Sequence, residues 1–236
     1  RKKNMRLKLI ALISTLVLML GVLSLPVKAD SGIAFGVIGN MATFDTDGVE
    51  NEGAGTEHNA ATHSEDVDFP EVFIEYAAQY EHVGMTFGLA VIPGDTEIGA
   101  KSRTDTASDA NDAGSSDAGT YTAKAEASNH VTIYVEPTVY MGNGFGVFLK
   151  AGVSHVKVNT LESITFGTDS SAYGNQSVFG GMTGAGIKYQ APNGLLVKVE
   201  HTETVYETID LDGNNGNTIS AQPEQSSTRL SIGYQF

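Results

Sequence analysis

The chain has no cysteine among its 236 residues. That absence rules out a disulfide framework and a thiolate metal centre, so its stability has to come from the backbone ladder and packing. Bases are also few: 14 Lys and Arg stand against 28 Asp and Glu, a formal charge of −14. Beyond about residue 30 no stretch sustains the 3.6-residue apolar period of an amphipathic helix. Alternation takes its place.

The opening "RKKNMRLKLIALISTLVLMLGVLSLPVKAD" starts basic (Arg1, Lys2, Lys3, Arg6, Lys8), runs apolar from Leu9 to Leu25, and reaches Val27-Lys28-Ala29 before Asp30. Small residues at the two positions a signal peptidase reads predict a cleaved secretory signal over residues 1–29. A retained membrane anchor is the competing reading, and Ser14, Thr15, Gly21 and Ser24 interrupt it. Residues 30–236 are then one mature domain. Cleavage would remove six of the 14 bases and no acid, taking the formal charge to −20. Such a chain lacks the clustered Lys and Arg that hold nucleic acid by its phosphates.

Eight segments alternate apolar and polar residues. They run through Ile33–Met41, Val72–Tyr80, Val83–Val91, Val131–Val139, Phe145–Val153, Phe179–Tyr189, Leu195–Val199 and Leu230–Phe236, each predicting a strand with one apolar face. Three connections are short, "YEHV", "YMGNGF" and "YQAPNGL", two of them carrying the Asn-Gly pair that tight hairpins favour. Four are long, at about residues 45–69, 93–120, 159–177 and 207–225, and they hold 20 of the 28 acids. Short and long connections alternate along the chain. All short turns therefore fall at one end and all long loops at the other.

The polar parity carries ionisable groups of both signs: Glu71, Glu75, Glu136, Lys150, Lys188, Lys198, Glu200 and Arg229. Gly36, Gly84, Gly88, Gly152, Gly184 and Gly186 share it, as a crowded interior requires. Apolar outside, polar inside, with alternating turn lengths, predicts an all-β fold: a transmembrane antiparallel up-and-down β-barrel of eight strands. Only a closed barrel satisfies every strand hydrogen bond in lipid. Tyr80, Phe145, Tyr189, Tyr234 and Phe236 fall at the short-turn ends with outward parity, as an aromatic girdle would.

The closing "RLSIGYQF" resembles the C-terminal assembly signal of bacterial outer-membrane proteins, with Arg229 large and polar, then Tyr234 and Phe236 aromatic. Ser231 stands where that signal usually has glycine. The mature chain resembles the small eight-stranded outer-membrane barrels typified by OmpX, the Opa adhesins and the membrane domain of OmpA. The resemblance implies a Gram-negative outer membrane, surrounding lipid and lipopolysaccharide, periplasmic chain ends, and folding by the barrel-assembly machinery through the last strand. It also implies an adhesin-like or structural role, with the long loops extracellular and open to an outside ligand or to divalent cations.

Counted from the short-turn end, Glu75, Glu136, Lys150, Lys198, Glu200 and Arg229 fall at similar heights and are expected to meet in one lumenal layer. An eight-stranded interior is just wide enough for side chains to fill, so a salt-bridged plug is expected, and a narrow porin-like channel for small solutes or ions is the alternative. A lipid-modifying enzyme is a third class, since two families of eight-stranded barrels similar in architecture act on lipid A. His155 and His201 have outward parity, but neither is followed by the His-x-Ser spacing of the deacylase, and no amphipathic helix leads the first strand. Metal candidates are His58 and His63 in one loop, and Asp210 and Asp212 in another that lacks the bidentate Glu of a calcium loop. No catalytic residue and no cofactor are expected.

Overall fold

A computed structural model of the chain describes residues 31–51, 58–105, 119–164, 173–213 and 218–236. The signal segment 1–29 lies outside the described residues. The described chain forms ten strands: β1 (Gly32–Asn51), β2 (His58–Tyr80), β3 (Val83–Val91), β4 (Thr96–Asp105), β5 (Gly119–Gly142), β6 (Phe145–Ile164), β7 (Asn175–Gln190), β8 (Leu195–Tyr206), β9 (Ile209–Asp212) and β10 (Thr218–Gln235).

All ladders are antiparallel, in the order β1-β2-β3-β5-β6-β7-β8-β10, and β10 returns to pair with β1. The closure runs from Ala34 opposite Gln235 to Asn51 opposite Thr218. β4 continues the stave of β3, and both pair with β5; β9 continues the stave of β8, and both pair with β10. Ten segments thus make eight staves; the ring closes through β10 and β1, while β4 and β9 each pair on one side only. Pro93-Gly94 separates β3 from β4, with Gly94 at φ +100°. Opposite that break, Asn129 takes φ +49° and the β5–β6 register shifts between Ser128 and Val131.

The hairpin turns follow the sequence. Asn143 and Gly144 both take positive φ, +51° and +80°, the backbone of the type I′ turn that twists with its strands. The third turn closes with Gly194 N–H donating to the Ala191 carbonyl over 2.9 Å. The long connections differ from expectation. Most of 45–69 belongs to β1 and β2, and parts of 93–120, 159–177 and 207–225 belong to β4, β5, β6, β7, β9 and β10. Acidic and Thr-rich stretches read as loops because their alternation is polar on both faces, yet cross-strand pairing carries the ladder through them. Examples are Thr43 Oγ1 donating to Asp66 over 2.7 Å and Thr62 Oγ1 to Asp47 over 2.9 Å.

The barrel is inverted relative to a soluble one. Ile33, Phe35, Val37, Ile74, Ile133, Val139, Leu149, Ile187, Leu230 and Ile232 are exposed on the outside. On β1 the apolar outer run from Ile33 to Met41 climbs roughly 20 Å at about 3.3 Å per residue and a tilt near 40°. The expected girdle sits at the hairpin end: Tyr80, Phe145, Tyr234 and Phe236 are exposed, and Tyr189 is half-buried against Phe145, ring centroids 4.7 Å apart. Phe236 stacks on Phe35 across the closure at 5.4 Å.

Candidate functional site

The lumen is where chemistry collects. All six residues expected to meet in one layer are buried, none above 3% exposure, and Glu136 is at 0%. Glu136 on β5 receives Lys150 of β6 at 2.9 Å, Lys198 of β8 at 3.1 Å and Lys188 of β7 at 3.3 Å. Lys198 also reaches Glu75 of β2 at 2.5 Å, and Lys150 reaches Glu200 of β8 at 2.5 Å. Arg229 of β10 continues the chain, with Nε 3.5 Å from Glu200 and Nη2 paired with Glu71 of β2.

Sequence reasoning had the polar parity of Glu71 and Lys188 but left both out of the layer. The structure adds them, and with them the balance closes. Among the described residues, four buried carboxylates (Glu71, Glu75, Glu136, Glu200) face four buried cations (Lys150, Lys188, Lys198, Arg229).

Neutral groups tie the network to the other staves. Asn40 of β1 donates to Glu71 at 3.3 Å, and Lys188 donates to Thr86 of β3 at 3.3 Å. Tyr134 of β5 donates its hydroxyl to Glu75 at 3.0 Å, while Lys150 Nζ sits 4.2 Å from its ring centroid. Every stave therefore contributes a side chain. Charges taken out of water are costly unless paired and hydrogen-bonded, and here each has at least one partner of opposite sign. Such an arrangement spans the barrel's cross-section with paired charges.

Above the network, toward the long connections, the lumen turns apolar. His130 lies at the boundary, its Nδ1 3.4 Å from Glu71 Oε1. Beyond it Ala127, Val156, Val158, Val178, Tyr206, Ile209 and Leu211 form one buried cluster, and Ala42, Phe69 and Ile92 form another. The signal the sequence offers is the inward parity of Phe44, Phe69, Val156 and Val178, which lie just past the ends of the eight alternating segments.

The outward histidines sit apart. His155 packs against Phe179 at 5.0 Å between centroids. His201 Nε2 lies 3.1 Å from Glu203 Oε1 and 3.5 Å from Ser226 Oγ, and its Nδ1 lies 3.4 Å from Thr228 Oγ1. Sequence spacing could not show Ser226 or Thr228 beside His201, because the β8–β10 register sets those pairs. Ser226 and Glu203 share one ring nitrogen of His201, while the Thr228 hydroxyl lies at the other.

The metal candidates do not converge. His63 pairs with Glu65 at 3.3 Å, and Asp210 accepts from Ser220 at 2.6 Å on the β9–β10 rim. Asp212 is exposed two pairs further along, and the side chain of His58 lies outside the described residues. Among the described residues no three His, Asp or Glu side chains are grouped to hold a metal ion. At the same rim Lys124 pairs with Glu97 at 2.9 Å, and that hydrogen bond raises the ammonium's pKa above its ordinary value.

A closed eight-stave ring with an apolar exterior and an ionic interior is the architecture of membrane-spanning β-barrels. No family model matches the chain, and no curated protein does. Solved structures of outer-membrane barrels do. The attachment invasion locus protein Ail of Yersinia pestis, in complex with the heparin analogue sucrose octasulfate, is 14% identical over 87% of this chain and 99% of its own, with a TM-score of 0.38. Neisserial surface protein A is 9% identical over 86% and 99%, with a TM-score of 0.40. The outer membrane protein OprG of Pseudomonas aeruginosa is 12% identical over 89% and 99%, with a TM-score of 0.45. None of these likenesses bears on what the present chain binds.

Proposed function

We propose that the protein is an integral outer-membrane barrel with a closed lumen, acting as a structural or surface-contact protein at its long-connection end, and that it is neither a channel nor an enzyme. One observation carries this: a charge-balanced buried network to which every stave contributes a side chain. An ion crossing that layer must part pairs such as Lys198–Glu75 and Lys188–Glu136, which would leave Glu75 and Lys188 as buried charges without an ionic partner. Function then falls to the rim, where the ladder extends past the apolar belt and carries Asp45, Asp47, Asp66, Asp68 and Glu224. The hairpin end and both chain ends face the periplasm in this reading, and lipid and lipopolysaccharide surround the belt. The Phe236 backbone N–H, donating to the Ile33 carbonyl at 3.0 Å, completes the seam that the assembly machinery would close.

Single-channel recording of refolded protein in a planar bilayer tests the closed lumen, with heat-modifiable gel migration establishing that the barrel is folded. Silence is expected. Reproducible conductance whose selectivity changes in Lys150→Met or Arg229→Met would overturn it in favour of a narrow pore.

A further inference from the structure

The barrel wall is unzipped along one seam. The β2–β3 ladder stops at Val72 opposite Val91. Carried two pairs further, the same register would set Pro70 against Pro93. Past that point β2 pairs with β1 and β4 pairs with β5, and no ladder joins β2 to β4 among the described residues.

The hydrogen-bond phase explains the stop. Phe236 N–H donates to the Ile33 carbonyl, so odd-numbered residues of β1 turn their backbone groups to β10 and even-numbered ones turn theirs to β2. Through the β1–β2 register, the odd residues of β2 then serve β1, and the even ones face β3 or the seam. Pro70 is even. Set against Pro93 it makes a rung with no donor on either strand. Beyond it the backbone groups of Asp68, Asp66, Ser64 and Thr62 point into the seam without a ladder partner. Unpaired backbone along a strand edge is a template for another strand. Across the seam the contact is through a side chain, since a β-carbon on Gly99 of β4 would lie 3.8 Å from His63 Nε2. Widening the seam therefore breaks no backbone pair.

The side chains specify what fits. Asp66 and Asp68 are exposed on the outer face of this edge, while Val67 is half-buried and Phe69 buried on its inner face. A strand laid beside them meets acid on one face and apolar groups on the other. Main-chain bonds then supply affinity and the alternate side chains supply selectivity. We propose that the seam docks an extended segment of a partner protein that alternates basic and apolar residues, added to β2 as a further strand. The proposal rests on the surface-contact reading above and gives that contact a place and a chemistry.

The test is a titration of full-chain refolded protein in nanodiscs of zwitterionic lipid with a decapeptide alternating lysine and valine. A decapeptide alternating lysine and proline, equal in charge but short of ladder donors, is the comparison. Amide hydrogen exchange locates the contact. The lysine–valine peptide should bind about tenfold more tightly or better, and slow exchange at Thr62, Ser64, Asp66 and Asp68. Ser64→Pro removes one seam-side N–H and leaves the β1 ladder whole; it should weaken that peptide about tenfold, and Ser64→Ala should not. Equal binding of the two peptides, protection confined to β1 and β10, or undiminished binding to Ser64→Pro protein that keeps heat-modifiable migration overturns the proposal. So does exchange at those four amides, without peptide, as slow as across the β1–β10 closure, because the seam would then be shut. A conducting barrel that still binds the lysine–valine peptide in this way would sink the closed-lumen reading and leave the seam standing.

Discussion

The ring of Tyr134 lies across Gly88 on the neighbouring strand, where a β-carbon would stand 2.1 Å from the ring's Cζ. That notch lets the hydroxyl pass over β3 and reach Glu75 on β2, while Lys150 caps the ring from the other side. Gly186 under Phe148 repeats the device, with a β-carbon 2.7 Å from the ring. Gly88→Ala should therefore destabilise the barrel by about 1–3 kcal/mol through overpacking. In a Tyr134→Leu background the same change should cost less, with a coupling of about 1 kcal/mol. Urea unfolding from lipid vesicles, followed by gel migration, measures both; additive costs would mean the ring does not depend on the notch.

Glu136 is the most heavily used group in the network, facing three lysines from three other staves. Glu136→Gln leaves four buried cations against three carboxylates and should cost about 3–5 kcal/mol, as removal of one partner of a buried pair does. Lys188→Met should cost less, because Glu136 keeps Lys150 and Lys198. The double variant Glu136→Gln/Lys188→Met should fall below the sum of the singles, since it restores the count to three against three. A double-mutant cycle on the same unfolding assay decides it, and strict additivity would speak against a shared network.

Much of this was legible in the sequence because period-2 alternation survives in lipid with its sense reversed. Exposed Ile33, Phe35 and Val37 and buried Glu75 and Lys150 occupy the parities the alternation assigned them. Partners were not legible. Arg229 and Glu71 are 158 residues apart and meet through register and strand tilt, which alternation does not encode. The apolar clusters of the upper lumen were hidden for a related reason. Near their level the inward parity changes from charged to apolar, and the kink at Asn129 turns both Ala127 and His130 inward. The full ladder height was missed because polar alternation looks the same on a solvated strand and in a loop.

The apolar exterior predicts a depth-dependent penalty for charge. Ile133 is 64% exposed near the middle of the belt, flanked by Leu89 and Val153 on the adjoining strands. Ile133→Arg should cost about 2–4 kcal/mol in a bilayer and Asp68→Arg, at the belt's upper edge opposite Met41, about 0–1 kcal/mol. Equal costs at the two positions would place the membrane elsewhere on the barrel.

The His201, Glu203 and Ser226 cluster gives the sharpest test of the non-enzymatic reading. Ser226 Oγ donates to Glu203 at 2.9 Å and lies 3.5 Å from His201, so its proton is directed to the carboxylate and not to the imidazole. Ser226 pairs with Glu203, and Thr228 with His201, within a continuous ladder. Acyl transfer needs free N–H donors aimed at the developing oxyanion, and backbone committed to a ladder does not supply them. A fluorophosphonate probe should accordingly leave Ser226 unlabelled in folded protein, and Ser226→Ala and His201→Asn should each change stability by no more than about 0.5 kcal/mol. Stoichiometric labelling that vanishes in both variants would make the rim a hydrolase and overturn the surface-contact assignment.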